Sequence, residues 1–243
     1  MILSFRHNFL FVRARKVAGT SVEIALSTLC GPEDITAPIV AVDERLRLDR
    51  GGHCANFGEP RLERAWRDMV RDASPEQLAA MKPPPSRYRP HMNLAEIEAA
   101  YGAPLDAFRL VCVERDPFAK VISFLHMRHN FAGYKAGAPD MARAIGDLST
   151  ELDEAFARDR LGILKSIHMY GDRTPEVIRY ERLEADFADF VATLGESAPA
   201  LPHAKRGPMS NAIDPATVFR RDQIERLNAF FAAELATFGY APR

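Results

Sequence analysis

The stretch NFLFVRARKVAGTSVEIAL, residues 8–26, joins a short apolar run, a basic turn and an amphipathic pattern. The apolar run over residues 8–12 predicts a β-strand, because it is short, rich in aromatic and aliphatic residues, and followed at once by charge. From Val22 onward, apolar residues recur at helical spacing until Gly31 and Pro32 provide a stop. The stretch therefore predicts a strand, a tight basic loop and a helix.

The loop before this helix carries the residue types that bind phosphate. Gly19 or Thr20 is placed to cap the helix, and Glu23 follows Thr20 at the spacing of a capping box. A helix start presents free backbone N–H groups and a partial positive charge, to which Lys16 adds a full charge and Thr20 and Ser21 add hydroxyl donors. Lysine here precedes the glycine, so the Walker pattern is absent and an ATP or GTP hydrolase is not the natural interpretation.

Further strands and helices alternate along the chain. Residues 108–113 form an apolar run that is typical of a buried parallel strand, and Asp116 and Pro117 are placed to cap and begin the next helix. Another short strand is predicted over residues 177–180. This alternation predicts an α/β fold, a central parallel sheet flanked by helices, built as a single domain over residues 1–243.

Local signals complete the secondary-structure prediction. Capping residues predict helix starts at Ser74 and Asn93. Residues 31–60 show no strong period and are predicted to be loop-rich, and residues 131–150 are rich in Gly and Ala and are predicted to be a loop. Residues 224–238 predict one final helix.

Composition limits the functional classes. The chain has 243 residues, is 47% hydrophobic and 27% charged, and carries a formal net charge of −1. Such balance excludes a disordered chain and a general polyanion binder, so no nucleic-acid partner is expected. Cys30, Cys54 and Cys112 are widely spaced, which favours a reduced, cytoplasmic protein without a structural zinc site. No apolar run approaches the ~18 residues of a membrane span, and no signal peptide is expected over the first residues, whose apolar run is short.

Two motifs resemble one known family. Residues 16–21, KVAGTS, resemble the 5′-phosphosulfate loop of sulfotransferases that use 3′-phosphoadenosine 5′-phosphosulfate, and the AGTS form is typical of the carbohydrate-type branch. Residues 115–123, RDPFAKVIS, resemble the family's second motif, in which an Arg and a Ser eight residues later hold the 3′-phosphate; these are Arg115 and Ser123 here. The resemblance implies a P-loop NTPase-like sulfotransferase architecture.

The resemblance also implies roles for individual residues. Lys16 would stabilise charge on the oxygen that leaves, and His91 would be the general base that takes the proton of the acceptor. No metal is required, and adenosine 3′,5′-bisphosphate would be the product. The residues assigned to the donor are Arg15, Lys16, Val17, Ala18, Gly19, Thr20, Ser21, Arg115 and Ser123, with Lys205 and Arg206 in a basic C-terminal loop that would close over the nucleotide.

Weaker similarities extend the match along the chain, and two residues depart from it. The weaker similarities are residues 91–97, 180–183, 201–203 and 238–240. Lys120 stands where many members have Arg, which replaces a planar fork by a point charge. Glu114 replaces an apolar residue before Arg115, and its carboxylate either orients Arg115 or faces solvent.

Three functional interpretations remain open from the sequence. The first is a sulfotransferase acting on an acceptor hydroxyl, on a carbohydrate or another small molecule. The second is a Mg²⁺-dependent nucleotide kinase or NTPase-like protein, and the third is an inactive nucleotide-binding scaffold of the same fold. The base could also be His53 or a carboxylate such as Glu96 or Glu98. The acceptor and the oligomeric state do not follow from the sequence.

Overall fold

The structure is a computed structural model that describes residues 1–133, 141–202 and 213–243, with the backbone alone over 128–133 and 141–147. It confirms the α/β class, with a five-stranded sheet and flanking helices. The chain divides into two compact units. The first comprises Met1–Ala14, Ala18–Val113 and His168–Lys205, and the second comprises Arg15–Val17, Glu114–Ile167 and Arg206–Arg243. The interpretation of residues 1–243 as one domain stays a prediction.

The sheet is mixed. Its strands are β1 (Ile2–Ser4), β2 (Phe9–Val12), β3 (Ile35–Thr36), β4 (Arg109–Glu114) and β5 (Glu176–Arg179), in the spatial order β3-β1-β2-β4-β5. The predicted parallel pairing is present between β2 and β4, in register from Phe9 opposite Arg109 to Val12 opposite Cys112. The antiparallel pairing of β1 with both β2 and β3 was not predicted. These strands have only three and two residues, too few to show a period.

Burial explains why β2 and β4 form the centre of this sheet. All four residues of β2 are buried, and β4 is buried from its second residue onward. Strands buried on both faces read as continuous apolar runs, which is the pattern that the sequence shows. Since the two strands are parallel, the chain leaves both at the same edge of the sheet.

Most helices of the first unit follow the predicted pattern, but one does not. The helices are α1 (Gly19–Ser27), α2 (Ala41–Asp49), α3 (Pro60–Asp72), α4 (Pro75–Ala80), α5 (Leu94–Tyr101) and, after β5, α8 (Leu183–Thr193). Helix α2 packs against α1, α3 and α4, so the loop-rich interpretation of residues 31–60 missed one helix. The residues that α2 buries include Asp43, Glu44 and Arg47, and charged residues on a buried face hide the hydrophobic period.

The second unit has its own core between helices. They are α6 (Pro117–Gly133), α7 (Met141–Ala157), α9 (Pro215–Val218), α10 (Arg221–Phe230) and α11 (Ala232–Phe238). Helices cover residues 131–133 and 141–150, which corrects the predicted loop there, and the predicted final helix is two helices that meet at Phe231. No helix within the described ranges is long and apolar enough to cross a bilayer. The core includes Phe118, Val121, Leu125, Leu152, Leu227 and Phe231.

The capping prediction is confirmed at two helices. Ser74 accepts a hydrogen bond from the backbone N–H of Gln77 in α4, and Asn93 accepts one from the N–H of Glu96 in α5, with the reciprocal contact of a capping box in each. Side-chain oxygens followed three residues later by Glu or Gln satisfy two helix-start donors at once. These contacts depend on neighbouring residues only, which is why the sequence reveals them.

Candidate functional site

The loop between β2 and α1 has an unusual backbone. Lys16 and Ala18 both have φ of 62°, in the left-handed region, although neither is glycine. A non-glycine residue in this region costs about 1–2 kcal/mol. Two such residues within three positions turn the chain sharply between strand and helix, and strain of this kind clusters at functional loops.

The start of α1 differs from the predicted capping box. Its N-cap residue is Ala18, which provides no side-chain cap, so the assignment of Gly19 or Thr20 as the cap is wrong. The Ala18 carbonyl accepts hydrogen bonds from the N–H groups of Ser21 (2.9 Å) and Val22 (3.4 Å). Within the described part of the chain, the N–H groups of Gly19 and Thr20 have no side-chain acceptor. An uncapped helix start of this kind attracts anions.

Glu23 is buried among cations and therefore cannot serve that capping box. Its carboxylate is 0% exposed and lies 2.8 Å from the Arg13 guanidinium, 3.1 Å from that of Arg47 and 3.1 Å from the amino group of Met1. Burial alone would raise the pKa of Glu23, but the charges of Arg13, the Met1 amino group and Arg47 outweigh it and lower the pKa to about 2. Burial also lowers the pKa of the Met1 amino group to about 6, so Arg13 and Arg47 are the lasting positive charges at neutral pH. Glu23 is thus ionised at neutral pH and fixes the position of Arg13.

Lys16 and Arg115 lie together, although 99 residues separate them in the sequence. An Nη1–H of Arg115 donates to the backbone carbonyl of Lys16 at 3.3 Å. Arg115 is only 3% exposed, Lys16 is partly buried and Arg15 is exposed. The contact links the arginine that follows β4 to the turn of the basic loop.

The start of α6 is capped, in contrast to that of α1. The Asp116 carboxylate accepts hydrogen bonds from the N–H groups of Phe118 (2.7 Å) and Ala119 (3.1 Å), as predicted, and forms an ion pair with Arg243 at 2.8 Å. Ser123 lies further along α6 and is partly buried. With backbone donors of this first turn already bonded to a carboxylate, an anion near α6 would depend on side chains such as Arg115 and Ser123.

Lys120 and Glu114, the two residues that depart from the motif that the sequence resembles, contact each other. Lys120 and Glu114 are 1% and 0% exposed, and the Lys120 ammonium contacts the Glu114 carboxylate. It also donates to the Ser166 hydroxyl at 3.1 Å. Neither residue faces solvent, so of the two alternatives for Glu114 the solvent-facing one is wrong. Lys120 is bound inside the second unit by a carboxylate and a hydroxyl.

His91 contacts Arg13 through both ring nitrogens. Its Nδ1 lies 2.9 Å from the backbone carbonyl of Arg13, and its Nε2 lies 3.5 Å from the Arg13 Nη2. Because a carbonyl only accepts and a guanidinium only donates, Nδ1 carries the proton and Nε2 presents its lone pair. This is the tautomer that a general base acting through Nε2 requires. The residue has φ of 64°, so its backbone is left-handed as well.

The alternative bases have other environments. His53 is half-buried, and its pKa is lowered by burial and by the nearby charge of Arg67. Glu96 accepts a hydrogen bond from the N–H of Asn93 at 2.9 Å, and Glu98 accepts one from the N–H of Leu105 at 2.9 Å. Both carboxylates therefore stabilise the backbone around α5.

The remaining predicted site residues divide between buried and undescribed positions. Val17 is buried, whereas Lys205 and Arg206 lie outside the described residues. Across the described ranges, no group of three or more His, Cys, Asp or Glu side chains is arranged to hold a metal ion. Sequence reasoning did not select Arg13 or assign Glu23 to a buried cluster. The sequence signal that could have identified Arg13 is its place in the basic turn directly after β2.

Comparison with known proteins gives one structural similarity. No protein-family model matches the sequence, and no curated protein matches it. Among solved structures, the chain is similar to the crystal structure of a sulfotransferase from Alicyclobacillus acidocaldarius, with 17% sequence identity and a TM-score of 0.40. The similarity covers 95% of this chain and 93% of the other.

Proposed function

We propose that the protein is a sulfotransferase that moves a sulfuryl group from 3′-phosphoadenosine 5′-phosphosulfate to an acceptor hydroxyl. The observation that carries the proposal is the 3.3 Å contact between Arg115 and the backbone of Lys16. It joins the two sequence motifs that would bind the two ends of such a donor. A ligand with one phosphate and one phosphosulfate group needs two anion-binding elements of this kind.

The basic loop would bind the phosphosulfate end. Lys16 supplies a positive charge, the uncapped start of α1 supplies backbone N–H groups, and Thr20 and Ser21 supply hydroxyls. Arg115 would donate two parallel hydrogen bonds to the 3′-phosphate, and Ser123 would add a hydroxyl. A bound 3′-phosphate would compete with the Lys16 carbonyl for the Arg115 guanidinium.

The transfer itself needs a base and a cation. His91 Nε2 would take the proton of the acceptor hydroxyl while the acceptor oxygen forms a bond to sulfur. The bond between sulfur and the bridging oxygen of the donor breaks in the same step, and adenosine 3′,5′-bisphosphate leaves with that electron pair. Lys16 would stabilise the negative charge that grows on this oxygen. The proton ends on His91, and the sulfuryl group ends on the acceptor.

For the acceptor class and the location, the support comes from sequence features only. The AGTS form of the loop, residues 18–21, supports a carbohydrate hydroxyl as acceptor. Three widely spaced cysteines support a reduced, cytoplasmic location.

Calorimetric titration with two nucleotides tests the donor site. We expect adenosine 3′,5′-bisphosphate to bind without Mg²⁺, and Lys16→Met and Arg115→Met each to weaken it by about one to two decades, the value of a charge-assisted contact. With adenosine 5′-monophosphate, Lys16→Met should still lose affinity, whereas Arg115→Met should change little. This difference assigns Arg115 to the 3′-phosphate and Lys16 to the 5′ end.

Matched controls come from exposed residues. Lys82→Met removes an exposed lysine, and Arg221→Met removes an arginine whose side chain is 93% exposed, so neither should change affinity. Equal affinity of wild type, Lys16→Met and Arg115→Met for the bisphosphate would overturn the assignment. Thermal stabilisation by ATP with Mg²⁺, and none by the bisphosphate, would favour the kinase or NTPase interpretation instead. Transfer of labelled sulfate to a carbohydrate panel then tests the acceptor.

A further inference from the structure

Arg13 occupies a position that the proposed reaction has not yet used. It directly follows β2 and is only 6% exposed, although arginine is rarely buried without a partner. Its guanidinium contacts three groups: the Glu23 carboxylate at 2.8 Å, the Thr20 hydroxyl at 3.4 Å and the His91 Nε2 at 3.5 Å. All four residues belong to the first unit.

Glu23 fixes the orientation of this guanidinium. The carboxylate contacts Nη1 of Arg13, and a planar guanidinium held at one nitrogen has its other nitrogens fixed in direction. Nη2 therefore points at His91 without being held there by a short bond. A distance of 3.5 Å is long for a hydrogen bond, so an acceptor hydroxyl at ~2.8 Å would bind Nε2 more tightly than Arg13 does.

Backbone and side chain of Arg13 act on opposite sides of one imidazole ring. The carbonyl accepts from Nδ1–H, which fixes the tautomer, and the guanidinium faces Nε2, where a second proton would have to be added. A fixed positive charge beside Nε2 disfavours that protonation. The nearest charged residues along the chain are Arg87, Arg89 and Glu96, and all three are exposed. Arg89 and Glu96 also lie 3.5 Å from each other, so solvent and pairing weaken the effect of these charges on His91.

We infer that Arg13 is a positioning residue for His91, anchored by Glu23, that keeps the imidazole oriented and unprotonated at Nε2. The inference rests on the proposed role of His91 as the base. Its electrostatic part is nevertheless a property of the free protein, which can be measured without donor or acceptor. A base that is already unprotonated near neutral pH can accept the proton of the acceptor hydroxyl at once.

Nitrogen-15 NMR of the histidine rings tests the inference on Arg13→Met and Arg13→Lys. Wild type should show His91 as the Nδ1–H tautomer. Arg13→Met should keep that tautomer, because the backbone carbonyl remains, but the ring should become half-protonated at a pH higher by about 0.5–1. Arg13→Lys should restore part of the shift. Arg6→Met removes an arginine that is 55% exposed in the same unit, and it should leave the titration unchanged.

Kinetics separate this inference from the proposed function. Once an acceptor is identified, kcat can be measured against pH. The rising part of this profile should move to higher pH in Arg13→Met by the same amount as the NMR titration of His91. An unchanged His91 titration in a folded Arg13→Met protein would overturn the inference, whatever the protein binds. Failure of wild type to bind adenosine 3′,5′-bisphosphate would overturn the proposed function and leave the NMR result intact. Arg13→Met should fold, because Glu23 retains Arg47 as a partner.

Discussion

The two connections that follow β2 and β4 begin alike and end differently. Both leave parallel, neighbouring strands, and both enter a helix after a basic residue. Helix α1 begins after Ala18, a left-handed residue without a side-chain cap, whereas α6 begins after Asp116, whose carboxylate accepts from the N–H groups of Phe118 and Ala119. Similar positions in a sheet therefore lead to two kinds of helix start.

This difference suits the two helix starts to two different ways of binding an anion, one through backbone N–H groups and one through side chains. An uncapped start offers backbone N–H groups and the helix dipole to an anion, but a start that already binds a carboxylate repels one. The proposed binding of the 3′-phosphate near α6 would therefore rely on the side chains of Arg115 and Ser123. We expect substitutions at the first connection to weaken binding of the 5′ end of the donor, and those at the second to weaken binding of its 3′-phosphate.

The largest expected effect concerns His91, which contacts Arg13 of the first connection and is the proposed base of the transfer step. His91→Asn should lower turnover by about two to four decades, the usual contribution of a general base, with little change in donor affinity. Asparagine tolerates the φ of 64° better than alanine, which limits damage to the backbone. Turnover and titration calorimetry measure the two quantities. In wild type, the rate should rise with pH as the His91 imidazole loses its proton. Turnover close to that of wild type would assign the base role elsewhere, with His53 tested next.

The next effect concerns the buried carboxylate within α1. The pKa of Glu23 is lowered to about 2 from its ordinary value of 4.5, so its stabilising effect is complete above pH 4.5 and is lost as the pH falls towards 2. Glu23→Gln should lower the free energy of unfolding at pH 7 by on the order of 3 kcal/mol, and this gap should narrow in acid. Denaturant unfolding between pH 7 and pH 3 measures it.

An exposed ion pair provides the control for that measurement. Asp68 contacts Arg71, but its side chain is 62% exposed, so Asp68→Asn should change stability by at most about 0.5 kcal/mol at either pH. Parallel pH curves for wild type and Glu23→Gln would show that Glu23 does not contribute through its charge.

A smaller effect should appear when the first helix start is made to resemble the second. Ala18→Asp places a carboxylate at the uncapped start of α1, and it should weaken adenosine 3′,5′-bisphosphate binding by about tenfold through repulsion. Ala18→Asn is the matched neutral control, because both residues tolerate the left-handed region. Calorimetric titration measures the affinity of both variants for the bisphosphate. Because Asp and Asn have nearly the same shape, a difference in affinity reports the effect of the charge. Equal affinities of the two would argue against anion binding at this helix start.

The smallest effect comes from removing the cap at the second helix. Asp116→Ala leaves the N–H groups of Phe118 and Ala119 without their side-chain acceptor and should lower the free energy of unfolding by about 1 kcal/mol. Asp116→Asn keeps an acceptor oxygen and should lose less, although the ion pair with Arg243 is lost in both variants. Thermal unfolding compares the two. An equal loss in both would assign the stabilisation to the charge of Asp116 and not to capping.

Sequence signals worked where short-range contacts determine the structure. The strands β2 and β4, the caps at Ser74, Asn93 and Asp116, and the helix after Pro117 were all predicted, because each depends on residues within a few positions. Helix α2 was missed, since three of the four residues that it buries are charged and hide its period. The strands β1 and β3 were missed because they are too short to show a hydrophobic period.

Charge partners were the part that the sequence could not provide. Thr20 and Glu23 match a capping box, yet Glu23 forms ion pairs with Arg13 and Arg47 inside the protein and accepts a hydrogen bond from the Met1 amino group. A buried carboxylate is stable only with cations around it, and those cations come from distant parts of the chain. In the same way, Glu114 and Lys120 look like independent departures from a motif until the structure shows them in contact.

The sequence by itself determined the α/β class, the basic loop of residues 16–21 and the Arg115-to-Ser123 motif, because periodicity and motif spacing are written along the chain. Only the tertiary structure decided that α1 lacks a side-chain cap and that Arg115 contacts the backbone of Lys16. It alone also showed that both ring nitrogens of His91 face Arg13. The physical reason is that the orientation and burial of these charged groups depend on contacts between residues 78 or 99 positions apart. The spacing of residues along the chain does not reveal such contacts.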